Sequence, residues 1–533
     1  MGFDLVIYNA AVIDGTGSPA FRSDIGIEDG LIAAIDTIPN NVDAAQQIDA
    51  EGMVLTPGFV DIHTHSDVSL LYPGTGLNKV CQGVTTEVTG NCGFSAFPLA
   101  GERLTLHADQ LAYLGPDVAE LTWHDFAGYA EALEAAKPIQ NIACLVGHGT
   151  LRIAVAGLSD DPYPEEAERL LCMMLEDALE QGAFGFSTGL TYVPSRFGSP
   201  EEITRLARVA AGSSALYATH SRATAGQEGA AIEEAISVGR DSGVRVEFSH
   251  LAINDPKSWG SAAKSLAQFD AAQSSGVDIQ FDVYPYDASA SSLSQYLPLW
   301  LQTAGPRGSH ALLTDSSSRA RALSEIASGW YGGIPWLWDR VLVTQSGPTD
   351  DETPGHTLAE LAESSGREPA EVLLALYERY GNAVQVAMFY RTEADMREFL
   401  CHPASVVGSD GVAMALDRLS ERPHPRFYGT FPRVLGRYVR DTGLLSLENA
   451  IRKMTGEPAD RCRLTGRGYV KRHYAADLVL FSPGDIADRA TFLESNLLPT
   501  GIDLVIVNGK VAVEHGRWSG TSAGKVLRRG ASV

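Results

Sequence analysis

His63-Thr64-His65, inside the run Pro57-Gly58-Phe59-Val60-Asp61-Ile62-His63-Thr64-His65-Ser66-Asp67, sets two imidazoles two residues apart. On a β-strand, side chains at i and i+2 project to one face, so both rings can reach a single metal ion. The residues leading in are apolar on both faces except for Asp61, the pattern of a strand covered on both sides. Two neutral imidazoles at the C-terminal end of such a strand make half of a hydrolytic metal site. The plainer alternative is a buried strand with two hydrogen-bonded histidines. Further candidate ligands stand at the ends of later apolar runs: Cys92 after Val84–Thr89, His220 after Leu216–Thr219, His250 after Val244–Ser249, and Asp410 after Ser405–Ser409. Imidazole, thiolate and carboxylate together suit zinc. Zinc makes water nucleophilic at neutral pH, and a carboxylate such as Asp410 can move the protons of an amide hydrolysis.

These residues need a frame that gathers strand ends. Apolar strands alternate with helical stretches through the middle of the chain, and eight candidate strands end near His63, Cys92, Gly147, Thr188, His220, His250, Tyr286 and Asp410. Helical segments at Pro164–Gln181, Pro200–Ala211 and Gly229–Ser242 lie between them. Eight strand–helix units in series are the count of a (β/α)8 TIM-like barrel, whose active sites lie at the C-terminal strand ends. About 120 residues separate the seventh strand from the eighth, more than one unit needs. Residues 288–340 are therefore expected to be an insertion after strand seven, over the barrel mouth. Its Trp300, Trp330, Trp336 and Trp338 suit core packing better than an acyl pocket. Short strands with Gly and Asp turns open and close the chain, including a turn at Asn508-Gly509. The expected architecture is thus α/β: residues 57–465 form the barrel, and residues 1–56 with 466–533 form one small β-sandwich from both termini.

Composition narrows the function. The 533 residues are 44% hydrophobic and 20% charged, with no run near the length of a membrane span. Lys plus Arg number 41 against 66 Asp plus Glu, a net charge of −25, which argues against nucleic acid or an anionic membrane as partner. The first residues enter a strand at once and lack the basic start of a secretory signal. Six scattered cysteines without a CxxC pair fit a reducing compartment, most simply the cytoplasm. A small molecule is the expected partner, and the oligomeric state is not encoded legibly.

The ordered set of motifs resembles the amidohydrolase superfamily and, within it, the N-acyl-D-amino-acid deacylases (D-aminoacylases) over nearly the whole chain. The resemblance rests on Thr56–Asp67, Gly83–Gly93, Gly189-Leu190-Thr191-Tyr192, Thr219-His220-Ser221-Arg222 and Ser249-His250-Leu251. It continues through Tyr284-Pro285-Tyr286, Gly408-Ser409-Asp410-Gly411, His424–Arg433 and Ala475–Phe481. It implies that Cys92, His220 and His250 hold a tight zinc, with Cys92 able to bridge to a weaker position at His63 and His65. Asp410 would be general base and then acid, and Tyr192, Tyr284 and Arg426 would surround the substrate. Many superfamily members carry a bridging lysine on strand four, but here that strand reads Ala183-Phe184-Gly185-Phe186-Ser187-Thr188. This fits the deacylase branch and counts against cyclic-amide hydrolysis of the dihydroorotase or hydantoinase kind. The motifs do not resemble deaminases, and a non-catalytic scaffold would be expected to have lost ligands.

One departure bears on specificity. Many of these deacylases have a lysine two residues after the strand-six histidine, where this chain has Ala252; Lys257 is the nearest replacement, and Asp287 adds a carboxylate after strand seven. The expected substrate is therefore an N-acyl-D-amino acid with a neutral, apolar side chain, its α-carboxylate paired with Arg426. His148, at the end of strand three, is read as structural.

Overall fold

Eight buried parallel strands take up the apolar runs of the middle of the chain. They are β1 (Phe59–Asp61), β2 (Val84–Thr89), β3 (Asn141–Gly147), β4 (Gly185–Gly189), β5 (Leu216–His220), β6 (Arg245–Phe248), β7 (Ile279–Val283) and β8 (Ser405–Val407), hydrogen-bonded in chain order. The computed structural model describes residues 2–114, 120–161, 164–222, 224–347, 350, 352–415 and 422–532. The ring closes above the last strand: Thr64 bridges Gly411, Asp410 N donates to His63 O at 2.8 Å, and His65 N donates to Gly411 O at 2.9 Å. Inside, Val60, Val88, Ala143, Leu216, Ala218 and Val406 belong to one packed cluster, so the barrel is filled and the site can form only at its rim.

The helices between strands follow their local signals. Ser199 accepts a hydrogen bond from Glu202 N, Pro200 opens the helix Pro200–Gly212, and Ile203, Leu206, Ala207 and Ala210 form its buried stripe. The helix Glu228–Ser242 stops at Gly243, whose φ of +71° is one that few other residues adopt.

Both termini share one nine-stranded sheet. Val54–Pro57 pairs with Phe3–Val12 on one side and with Leu478–Phe481 on the other, stitching the N- and C-terminal strands together. Along Phe3–Val12, Leu5 and Ile7 enter one apolar cluster while Val6 and Tyr8 enter another, the alternation of a strand covered on both faces. The Asn508-Gly509 turn is a two-residue hairpin with both φ values positive, +48° and +76°. The last residues leave this sheet: Val526 bridges Ile142 on the barrel, and the Arg529 guanidinium donates to the carbonyls of Leu179, Ala183 and Ser213. The tail thus packs on the barrel, where the sequence reading kept it with the terminal strands.

The insertion is longer than 288–340. Ser289–Ser292 pairs with Gln385–Met388, which also pairs with Val341–Gln345, so the three-stranded sheet runs on to Met388. Leu301, Ile326, Val343, Leu373 and Val386 give it a core of its own. Trp330 belongs to that core, with Trp300, Trp336 and Trp338 packed against it, and Trp336 stacks on Trp338 at 4.5 Å. The later boundary was hidden because strands 341–345 and 385–388 have the same apolar character as a barrel strand. All six cysteines are unpaired, and among the described residues no helix is long and apolar enough to cross a membrane.

Candidate active site

Six side chains proposed from the sequence meet at one end of the barrel. The Cys92 sulfur lies 3.3 Å from His63 Nε2, 3.5 Å from His250 Nε2 and 3.8 Å from His220 Nδ1. His220 Nδ1 and His250 Nε2 face each other at 2.9 Å. On the other side of His63, Asp410 Oδ1 is 3.5 Å from His63 Nε2 and 3.0 Å from His65 Nε2. Donor atoms of His63, Cys92 and His250 form one compact group and those of His63, His65 and Asp410 a second, each within 4.8 Å. His63 therefore belongs to both groups, whereas the resemblance set it with His65 alone.

Local backbone explains how these side chains turn inward. Cys92, His250 and Asp410 have φ values of +53°, +37° and +50°. Such values are uncommon for residues other than glycine, and their clustering on three ligand candidates is the signature of a functional site. Strand four supports the Cys92 loop: Ser187 Oγ donates to Gly90 O at 2.5 Å and accepts from Gly93 N at 2.9 Å. Gly189 must lack a side chain, since a Cβ there would lie 2.0 Å from Cys92 O. A serine and a glycine thus stand on the strand where other superfamily members bridge with lysine.

Orientation comes from partners one step out. Asp282 on β7 accepts from His63 Nδ1 at 3.0 Å and from His250 N at 3.0 Å, directing His63 Nε2 to the centre. Thr191 Oγ1 lies 2.8 Å from His220 Nε2, and Tyr192 Oη lies 3.2 Å from His220 Nδ1. Burial would push the Cys92 thiol up, but the neighbouring His63 and His250 hold it well below its ordinary value, in the thiolate range. Burial likewise opposes ionisation of Asp410, yet Arg426, His63 and His65 hold it well below the usual carboxylate range. The donor set, a thiolate and imidazoles with an ionised acid beside them, fits zinc; Cys92, His63, His220 and His250, with His65 and Asp410 adjoining, are the residues that would hold it.

Two cavities meet at this centre, sharing Tyr192, His250 and Asp410 there and Ala290, Ser291 and Gln295 of the insertion. The first, about 360 Å³, lies under the barrel loops and the insertion. The second, about 110 Å³, is lined by Ala252, Tyr284, Tyr296, Trp330 and Arg391 among others. Tyr284 is held between two guanidinium groups, Arg391 at 4.5 Å and Arg426 at 4.6 Å from its ring, and its buried hydroxyl has no hydrogen-bond partner among the described residues. Arg426 ion-pairs with Asp410 Oδ2 at 2.8 Å, so its charge is already compensated. Arg391 donates to Asn254 Oδ1 at 3.2 Å and has no carboxylate partner among the described residues. His424, which burial and Arg426 hold well below its ordinary pKa, bridges Ala288 O and Arg426 N as a neutral ring.

Two sequence expectations are corrected. Lys257 is exposed and lines neither cavity, because Asp255 accepts from its backbone N–H and a single turn, Pro256–Ser258, carries the chain outward. Asp287 is also exposed and lines neither cavity. His148 is buried between Ser195 Oγ at 2.8 Å and Glu202 Oε1 at 2.7 Å, away from the centre. Sequence reasoning missed Asp282 and Arg391. Only the acid inside the buried run Ile279–Val283 signalled the former, and nothing local signalled the latter.

Comparison with known proteins agrees with this geometry. A family model described as "Amidohydrolase family" matches residues 46–280 and 308–513. The D-aminoacylase of Alcaligenes xylosoxydans xylosoxydans is 35% identical over 99% of this chain and 98% of its own length. The chain belongs to the amidohydrolase family, in its N-acyl-D-amino-acid deacylase group. An N-acyl-D-glutamate deacylase from the same organism is 36% identical over 99% of this chain and 97% of its own. The crystal structure of N-acyl-D-glutamate deacylase from Bordetella bronchiseptica, complexed with zinc and a phosphonate mimic of the tetrahedral intermediate, superposes with a TM-score of 0.84. It is 34% identical and covers 99% of this chain and all of that one. This amidohydrolase is therefore a hydrolytic enzyme with the barrel of its group.

Proposed function

We propose that this amidohydrolase cleaves the amide bond of N-acyl-D-amino acids, releasing a carboxylic acid and a D-amino acid, with zinc held at the Cys92 centre. The observation that carries the reading is the Cys92 sulfur among three imidazoles, with the Asp410 carboxylate 3.0 Å from His65 and 3.5 Å from His63 and no lysine on strand four. A zinc ion bound there supplies Lewis acidity that activates water and an amide carbonyl at neutral pH. Asp410 takes the proton of the attacking water and returns it to the leaving amine nitrogen; its pairing with Arg426 keeps it ionised for the first transfer. Tyr284 Oη, buried without a partner, supplies a hydrogen bond to the substrate. Arg391, in place of Arg426, pairs with the α-carboxylate, its planar fork suiting a bidentate contact.

A neutral side chain remains our reading, on different grounds from Asp287. The second cavity offers one uncompensated cation, Arg391, while Glu228 and Asp255 also line it and Arg222 is paired with Glu234 at 3.2 Å. With Arg391 on the α-carboxylate, an acidic side chain would meet carboxylates alone. We also read the enzyme as cytoplasmic, in keeping with its unpaired cysteines.

The test is zinc content together with amino-acid release from the D and L forms of N-acetyl- and N-octanoylmethionine. Bound zinc with D-selective release is expected; bound zinc with none of these amides cleaved would overturn the substrate reading and favour cyclic amides. Faster turnover of N-acetyl-D-glutamate than of N-acetyl-D-methionine would refute the neutral side chain. Arg391→Met should raise KM for the α-carboxylate substrate about 10- to 100-fold and leave that for the matching neutral amide nearly unchanged. Equal effects on both would reject its role.

A further inference from the structure

We propose that the acyl half of the substrate is a bulky, uncharged group, of medium-chain or aryl size, and not the acetyl group of the simplest N-acyl amino acids. The inference rests on the amide-hydrolase reading above and concerns which cavity receives which half. Hydrolysis breaks the C–N bond at the metal centre; water gives its oxygen to the acyl carbon and its proton to the amine. The two product halves must therefore lie on opposite sides of that centre, and two cavities of unequal size meet there.

The amino-acid half carries a carboxylate, and of the two cavities Arg391, without a carboxylate partner among the described residues, lines the smaller. That leaves the acyl half to the larger one. At about 360 Å³ it exceeds by far the single methyl that an acetyl group would put there, and it falls within the roughly 300–1,000 Å³ of pockets that enclose whole drug-sized ligands. The two walls differ. Barrel loops contribute Val68, Phe94, Leu114, Met414 and Phe427, while the insertion contributes uncharged polar groups such as Gln345 and Gln385. Away from the central Asp410 and Arg426, no acid, lysine or arginine among the described residues lines the cavity, so none of them compensates a charged acyl tail. An acetyl group would leave the apolar wall wet, whereas a longer chain or aryl ring covers it.

The experiment compares kcat/KM for N-acetyl-, N-octanoyl-, N-phenylacetyl- and N-succinyl-D-methionine on the zinc-loaded enzyme. Octanoyl and phenylacetyl substrates are expected to exceed acetyl by at least about tenfold, given the gain from burying several methylenes, with succinyl no better than acetyl. Ala383→Phe and, separately, Ala112→Phe narrow the larger cavity from the insertion and from a barrel loop. Each should reduce the octanoyl-to-acetyl ratio about tenfold, and either variant alone decides if the other fails to fold. Acetyl turnover equal to or above the larger acyl groups, or a ratio unmoved by both variants, would overturn the inference while leaving N-acyl-D-amino-acid hydrolysis intact. Failure to cleave any of the four would overturn the functional reading and this inference with it.

Discussion

The two ends of the barrel both bury charged side chains, and they do so in opposite ways. At the lower end, Arg461 donates to Glu247 Oε2 at 3.1 Å and to Val246 O at 2.5 Å and also pairs with Asp278; Lys453 donates to His402 O, Ser405 O and Ser405 Oγ at 2.6–2.9 Å. Each cation there is surrounded by oxygens already in the fold, although Glu247 Oε1 has no hydrogen-bond partner among the described residues. At the upper end, imidazoles, a thiolate and a carboxylate crowd within 2.9–3.8 Å of one another on left-handed backbone. Acceptors facing acceptors are complete only with a cation between them. Buried cations are therefore enclosed by protein oxygens at one end, whereas metal-ligating groups gather at the other, and the partners each group finds distinguish the two.

Substitutions at the two ends should separate activity from stability. The largest effect is expected at Asp410: Asp410→Asn should lower kcat about 10²- to 10⁴-fold, measured on N-acyl-D-methionine. A loss below tenfold would remove Asp410 from proton transfer. Asp282→Ala comes next. It frees His63 Nδ1 and the His250 backbone, and zinc affinity measured by chelator competition should weaken about 10- to 100-fold. Unaltered affinity would make Asp282 a packing residue.

The smallest effect belongs to the lower end and shows in pH dependence. Burial pushes Glu247 from 4.5 up to about 8, against the attraction of Arg461. Between those pH values the folded chain binds a proton that the unfolded chain has lost, so this group makes stability fall as pH rises from about 4.5 to 8. Glu247→Gln should flatten that decline in urea unfolding from pH 5 to 8, with kcat close to the parent value. A slope identical to the parent's would show Glu247 ionised throughout.

Much of this was legible in one dimension. Spacing of two put His63 and His65 on one face, strand-end positions nominated Cys92, His220, His250 and Asp410, and the helical stretches 164–181, 200–211 and 229–242 fall within a residue of the helices formed. Lys257 misled because closeness in sequence to His250 says nothing once a turn carries the chain outward. Asp282 was unremarkable because an acid in a buried strand acquires meaning only from what lies across the barrel. Arg391 lies beyond a separately packed insertion, where no periodicity reaches back to the site.

The sequence by itself determined the chemical types at the strand ends, the alternation that makes a barrel, and the absence of a strand-four lysine, because these follow from side-chain identity and local repeat. Only the tertiary structure decided that His63 serves both donor groups, that Arg426 compensates Asp410 while Arg391 faces the smaller cavity, and that the two cavities differ in size. The contacts of the centre join residues 29, 128, 158 and 219 positions apart, and what sets them is the closing of the ring, which no local pattern encodes.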